Sequence, residues 1–105
     1  MAKTEWLVIV RDKPNCLAKR MEVRTRQHLS AAKQAAPILM GGATLTSPPA
    51  EGQKMDIDGS ALLVEAESRE EVVNLLEGDI YATSGVWDLD GVQIMPFKSA
   101  IRKGL

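Results

Sequence analysis

Apolar residues recur along the chain in two rhythms, and the changes of rhythm mark six short elements. Trp6-Leu7-Val8-Ile9-Val10-Arg11 is a continuous β-branched and apolar run, the pattern of a strand covered on both faces. The turn chemistry of Asp12-Lys13-Pro14-Asn15 ends it. From Cys16 to Ala36 there is neither Gly nor Pro, so a helix is expected, with Asn15 capping its first turn and Pro37 closing it. On that helix Leu17, Met21, His28, Ala32 and Ala35 fall within about 60° of one another. The expected buried stripe therefore carries the chain's single histidine.

Ile38-Leu39-Met40, Gly41-Gly42 and Ala43-Thr44-Leu45-Thr46 form a second strand interrupted by a glycine pair, where a bulge or the close approach of another group is expected. Ser47 to Asp58 is polar, with Pro48-Pro49 and Gly52, and reads as a long connection. Ser60 to Ala66 is the third strand. Ser68-Arg69-Glu70-Glu71 is a capping box opening a second helix. Val72, Leu75, Leu76 and Asp79 keep the spacing of its buried face, so a carboxylate ends the apolar stripe. Val92-Gln93-Ile94-Met95-Pro96-Phe97 alternates as a fourth strand, and Pro96 places it at a sheet edge or a strand end.

The order β-α-β-β-α-β is the split βαβ pattern of a ferredoxin-like α+β fold, in which two helices share one face of a four-stranded antiparallel sheet. The other face is apolar yet lacks a helix, so a second copy of the chain is its expected cover. Residues 1–105 are read as one domain, since composition does not shift along the chain and nothing repeats.

Composition then narrows the partners. Thirteen basic and fourteen acidic residues give a net charge of −1, without the global attraction to phosphate that nucleic-acid binding uses. No apolar run approaches the roughly 20 residues of a membrane span, and the first residues lack a signal-peptide profile. A cytoplasmic protein with neither nucleic-acid nor membrane partners is expected. One segment departs from the average: Lys19, Arg20, Arg24, Arg26 and Lys33 against Glu22 give the first helix a local charge of five minus one, or +4.

Dense chemical motifs are absent from the sequence: no phosphate-binding loop, Cys-x-x-Cys or nucleophile elbow. Cys16 is alone and reads as a quiet side chain, and Met21, Met40 and Met95 read as core filler. With one histidine and scattered carboxylates, neither a metal site nor a cofactor is expected. What remains is a constellation. His28 on one helix and Asp79 at the end of the other would be brought side by side by the fold. An imidazole beside a carboxylate is a proton-transfer pair, or else a hydrogen-bonded core histidine. Arg11, Arg20 and Arg24 read either as a solvated face or as a clamp for an anionic group. Gly41 and Gly42 read as amides bared to a ligand or as a bulge.

With these segments in view, the sequence resembles the YCII-related (YciI-like) family of small dimeric α/β-barrel proteins. The resemblance runs over about residues 5–102. It is carried by Leu7 to Pro14, by Arg20 to Leu29 with its arginines before His28-Leu29, by Gly41-Gly42, by Gly59 to Ala66, and by Asp79-Ile80-Tyr81 followed by Gly85 and Val92 to Phe97. It implies a ferredoxin-like protomer paired into a dimeric barrel, and a functional pair made of a first-helix histidine, here His28, and an aspartate opening an Asp-Pro-aromatic segment, here Asp79. Ile80 stands where the family has proline, which leaves the backbone at Asp79 less fixed. Tyr81 is the aromatic residue of that segment and a candidate ligand contact.

Together these readings predict a cofactor-independent homodimeric enzyme of the isomerase or lyase type, dehydratases and dehydrohalogenases included. Its substrate would be a small cyclic or aromatic, anionic metabolite, with His28 and Asp79 transferring the proton and Arg11, Arg20, Arg24, Gly41, Gly42 and Tyr81 binding. The alternative is a non-catalytic dimeric binding or accessory protein.

Overall fold

The computed structural model describes residues 3–24, 38–53 and 55–103. Along them run β1 (Thr4–Asp12), helix α1 over residues 17–24, β2 (Ile38–Leu45), β3 (Ile57–Ala66), α2 (Arg69–Glu77), a single turn α3 (Ile80–Thr83) and β4 (Trp87–Phe97). The four strands form one antiparallel sheet in the order β2-β3-β1-β4. This is the expected α+β, ferredoxin-like arrangement. β4 is an edge strand, the kind of position where a proline such as Pro96 is tolerated.

Register decides which side chains meet. Trp6, Val8 and Val10 of β1 stand opposite Val64, Leu62 and Ser60 of β3, and successive residues of a strand point to opposite faces. Val8, Val10 and Val64 are 0–1% exposed and share one core with Val23 of α1 and with Val72 and Leu76 of α2. Both helices thus cover one face. Each such Val or Leu contributes about 1.5–3 kcal/mol by leaving water.

On the other face Met40, Leu63, Leu7 and Met95 form a row straight across the four strands. Ile9, Ala61 and Phe97 extend it. Leu63 is buried by its neighbours, but Met40, Met95 and Phe97 are exposed. The expectation that Met21, Met40 and Met95 fill the core is overturned, because all three are 40–56% exposed.

The buried face of α1 also differs from the expected stripe. Leu17 and Met21 are exposed, while Arg20 and Val23 are buried and Cys16 packs against the core. Apolar spacing pointed the wrong way because a buried arginine holds the position where a hydrophobe was expected. His28, Ala32 and Ala35, the rest of that stripe, lie outside the described residues. At the start of the helix it is the Cys16 carbonyl that accepts the first helical bond, from the Arg20 amide at 2.8 Å. Asn15 instead takes a left-handed turn, φ 60°, which asparagine tolerates.

Half of the capping box of α2 forms as read, the Glu71 amide donating to Ser68 Oγ at 3.2 Å, while the Glu71 carboxylate reaches one residue further back and accepts from the Glu67 amide at 3.1 Å. The Gly41-Gly42 pair lies inside a continuous β2, and the register slips on either side, between Ile38 and Met40 and between Thr44 and Leu45. Among the described residues no helix is long and apolar enough to cross a membrane.

Candidate functional site

The described residues of the helix-covered face leave a space over the β2–β3 half of the sheet. There a cavity of about 410 Å³ opens between α1, α3, β2 and the β2–β3 connection. Ile38 and Leu62 form its apolar floor, Met55 and Ile57 one wall, and Arg20, Arg24, Ser60, Tyr81 and Trp87 its polar and aromatic side. Gly41, Gly42 and Ala43 supply the rim. A Cβ on Gly41 would stand 2.9 Å from Leu62 Cδ2, so the rim is kept bare where β2 runs closest to the floor.

The polar side is built around Arg20, which is only 4% exposed. One guanidinium nitrogen donates to Asp12 Oδ1 at 2.7 Å and the other to Ser60 Oγ at 2.7 Å. Its face lies over the Tyr81 ring, 4.4 Å from the centroid, where the ring quadrupole attracts a cation. Trp87 Nε1 donates to the same Ser60 oxygen at 3.1 Å. The Tyr81 and Trp87 rings pack at 5.6 Å, tilted by 49°. Four elements, β1, α1, β3 and β4, are thereby tied to one guanidinium and one hydroxyl. A charge this deep is tolerable only with such partners. Some cost remains, since Asp12 Oδ2 is buried with no partner among the described residues. Desolvation pushes the Asp12 carboxyl above its ordinary pKa, against the lowering pull of Arg20.

Gly59 sets the position of Ser60. A side chain at Gly59 would collide with the Val10 carbonyl oxygen and press on Arg11 Cα and Thr44 Oγ1. Glycine lets β3 lie close against β1, and the next residue then points into the cavity.

Asp79 does not continue α2. That helix ends at Gly78, and Asp79 is the extended N-cap of α3, its Oδ1 accepting from the Tyr81 amide at 2.9 Å. Its carbonyl accepts from the amides of Ala82 and Thr83. The turn is therefore held by its own bonds with Ile80 in place of proline. Asp79 is half-buried, and desolvation raises its carboxyl above the ordinary value, while the Tyr81 amide and the Arg20 charge act to lower it. Burial likewise raises the Tyr81 phenol, so it is neutral at physiological pH.

Of the residues singled out in the sequence, Arg20, Arg24, Gly41, Gly42 and Tyr81 line this one cavity. Asp79 does not line it and is joined to it through the Tyr81 amide, from which its carboxylate accepts. Arg11 is elsewhere: its exposed side chain pairs with Asp58 at 3.3 Å and does not line the cavity. His28 lies outside the described residues. The solvated-face reading fails for Arg20, which is buried, whereas Arg24 is exposed at the cavity. Cys16 packs quietly, its sulfur 3.8 Å from the Gly85 carbonyl oxygen. Sequence reasoning missed Asp12, Ser60 and Trp87. The signals available were a hydroxyl inside the apolar run Ser60-Ala61-Leu62-Leu63-Val64 and a glycine just before it.

Comparison with known proteins agrees with this architecture. The YCII-related domain matches residues 4–98. Fusaric acid biosynthesis protein 2 of Gibberella fujikuroi is 38% identical over 97 residues, which cover 90% of this chain and 93% of that protein. Aspercryptin biosynthesis cluster protein B of Emericella nidulans is 29% identical, over 97% of this chain and 67% of that protein. Among solved structures, the 5-chloro-2-hydroxyhydroquinone dehydrochlorinase TftG of Burkholderia phenoliruptrix, in complex with 2,5-dihydroxybenzoquinone, superposes with a TM-score of 0.76. It is 28% identical, and the match covers 90% of this chain and 93% of that one.

Proposed function

The chain belongs to the YCII-related family, and on that footing we propose that it is a small enzyme that moves a proton on an oxygenated cyclic or aromatic metabolite held in the Arg20–Ser60–Tyr81–Trp87 cavity. One observation carries this reading: among the described residues, a cavity with an apolar floor and an aromatic wall has its polar groups gathered on a single side. A flat ring with oxygens on one edge fits that division. The volume, about 410 Å³, lies in the range of small-molecule sites. The likeness to a dehydrochlorinase whose structure is a complex with 2,5-dihydroxybenzoquinone supports the same class.

In this mechanism Arg24, exposed at the cavity, meets the negative charge of a phenolate, enolate or carboxylate. Arg20 is committed to Asp12 and Ser60 and acts as a fixed positive background. Asp79 and His28 form the proton-transfer pair. The base takes a proton from the ring or its hydroxyl, the freed electron pair forms a new double bond, and in an elimination the leaving group departs with its own bonding pair. Asp79, short of solvation, is primed to stabilise the imidazolium that results. The row Met40, Leu7 and Met95, exposed at its two methionines, is closed by a second copy of the chain, which completes a barrel.

Binding of a hydroxylated aromatic at the cavity tests the reading, followed by turnover in folded His28→Ala and Asp79→Asn variants. Loss of turnover by about 100-fold or more is expected for both. Binding with unchanged behaviour in both variants would instead make the chain a binding module and the pair structural.

A further inference from the structure

Among the described residues, the Ser60 hydroxyl at the polar side of the cavity has no acceptor for its proton. Its oxygen accepts from two groups that can only donate, the Arg20 guanidinium at 2.7 Å and the Trp87 indole N–H at 3.1 Å. Two N–H donors fill both lone pairs, which leaves the O–H bond one remaining direction. No described residue accepts a hydrogen bond from it, and Ser60 is 3% exposed and lines the cavity. Its neighbours fix both the position and the rotor. Gly59 seats the backbone against β1, and the two donors hold the torsion. A hydroxyl that accepts from a cation also becomes a stronger donor, since hydrogen bonds in series polarise one another.

We propose that Ser60 is a specificity-determining contact, the donor that receives an oxygen of the bound ring, whether ionised phenol, enolate or carbonyl. The inference rests on the cavity being the ligand site. It adds that the site distinguishes an oxygen from an apolar group of equal size at one defined point. A donor already oriented in a dry site needs no reorganisation when the ligand arrives, and a ligand lacking the oxygen leaves it unpaired.

The test uses an isosteric pair, 4-chlorophenol and 4-chlorotoluene, titrated into the full chain and into Ser60→Ala. Ser60→Cys, a poor donor of similar size, serves in case the alanine variant does not fold. Wild type binds the phenol more tightly, and each variant loses about tenfold to about a hundredfold of affinity for the phenol while its affinity for the toluene changes little. Ser60→Thr, which restores the hydroxyl, recovers the preference. If Ser60 is only a brace between α1, β3 and β4, both ligands weaken together, or neither does, and the proposal is overturned. If wild type binds neither compound, the cavity reading itself falls, and this inference with it.

Discussion

At the scale of single residues, the site is built from polar groups buried beside partners. Arg20 bonds both Asp12 and Ser60, a contact that joins three elements. Sequence pattern left Arg20 open between a solvated face and an anion clamp, because a buried arginine and a solvated one read alike until the partner is known. Asp79 was legible as a carboxylate at the end of an apolar stripe, but its role as the N-cap of α3 was not. That role allows a clean prediction. Desolvation holds the Asp79 carboxyl above its ordinary pKa, so the folded state keeps this proton to higher pH than the unfolded state does. Its contribution to stability is complete below the unfolded value and is lost as pH rises through the raised folded value. Asp79→Asn keeps a capping side chain and removes that loss. Its melting temperature should equal or exceed that of wild type at neutral pH, with the difference disappearing in acid below the ordinary carboxylate range. Asp79→Ala, which lacks the cap, should be about 1 kcal/mol less stable than Asp79→Asn throughout. Thermal melts from acid to neutral pH check both.

At the scale of elements, the strands and α2 were readable because their apolar runs and their capping box are local signals. Helix α1 misled: Leu17 and Met21 have the right spacing but the wrong direction. Only the packing of Cys16, Arg20 and Val23 reveals the buried side. The turn α3 escaped notice because four residues are too few to carry a period. Its short connections still matter, since they place Tyr81 against Arg20 and Trp87. The close approach of β3 to β1 at Gly59 was equally invisible, for nothing local distinguishes this glycine from a turn glycine. Gly59→Ala should lower stability by about 1–3 kcal/mol, as overpacking against fixed backbone does. Chemical denaturation measures it. A variant as stable as wild type would mean that β3 can move away, and Ser60 with it.

At the scale of the whole molecule, the sheet has one face spent on a core and one left apolar. The sequence indicated this asymmetry through strands too hydrophobic for the helices available. The register then aligns Met40, Leu63, Leu7 and Met95 into a band. A dimer joined through that band should sediment at micromolar concentration near twice 11.4 kDa. Met95→Lys, on an exposed edge position, should shift it toward monomer without unfolding it. A wild-type monomer would remove the barrel from the account. The cavity, which lies on the opposite face, would stand regardless. A titration of the Trp6→Phe variant with 2,5-dihydroxybenzoquinone tests the cavity most directly, because Trp87 is then the sole tryptophan of the chain and lines the proposed site. The account predicts a saturable change in Trp87 emission together with a rise in melting temperature, both weakened by Arg24→Ala. An emission change that never saturates, or a binding curve indifferent to Arg24, would place the ligand elsewhere and contradict it.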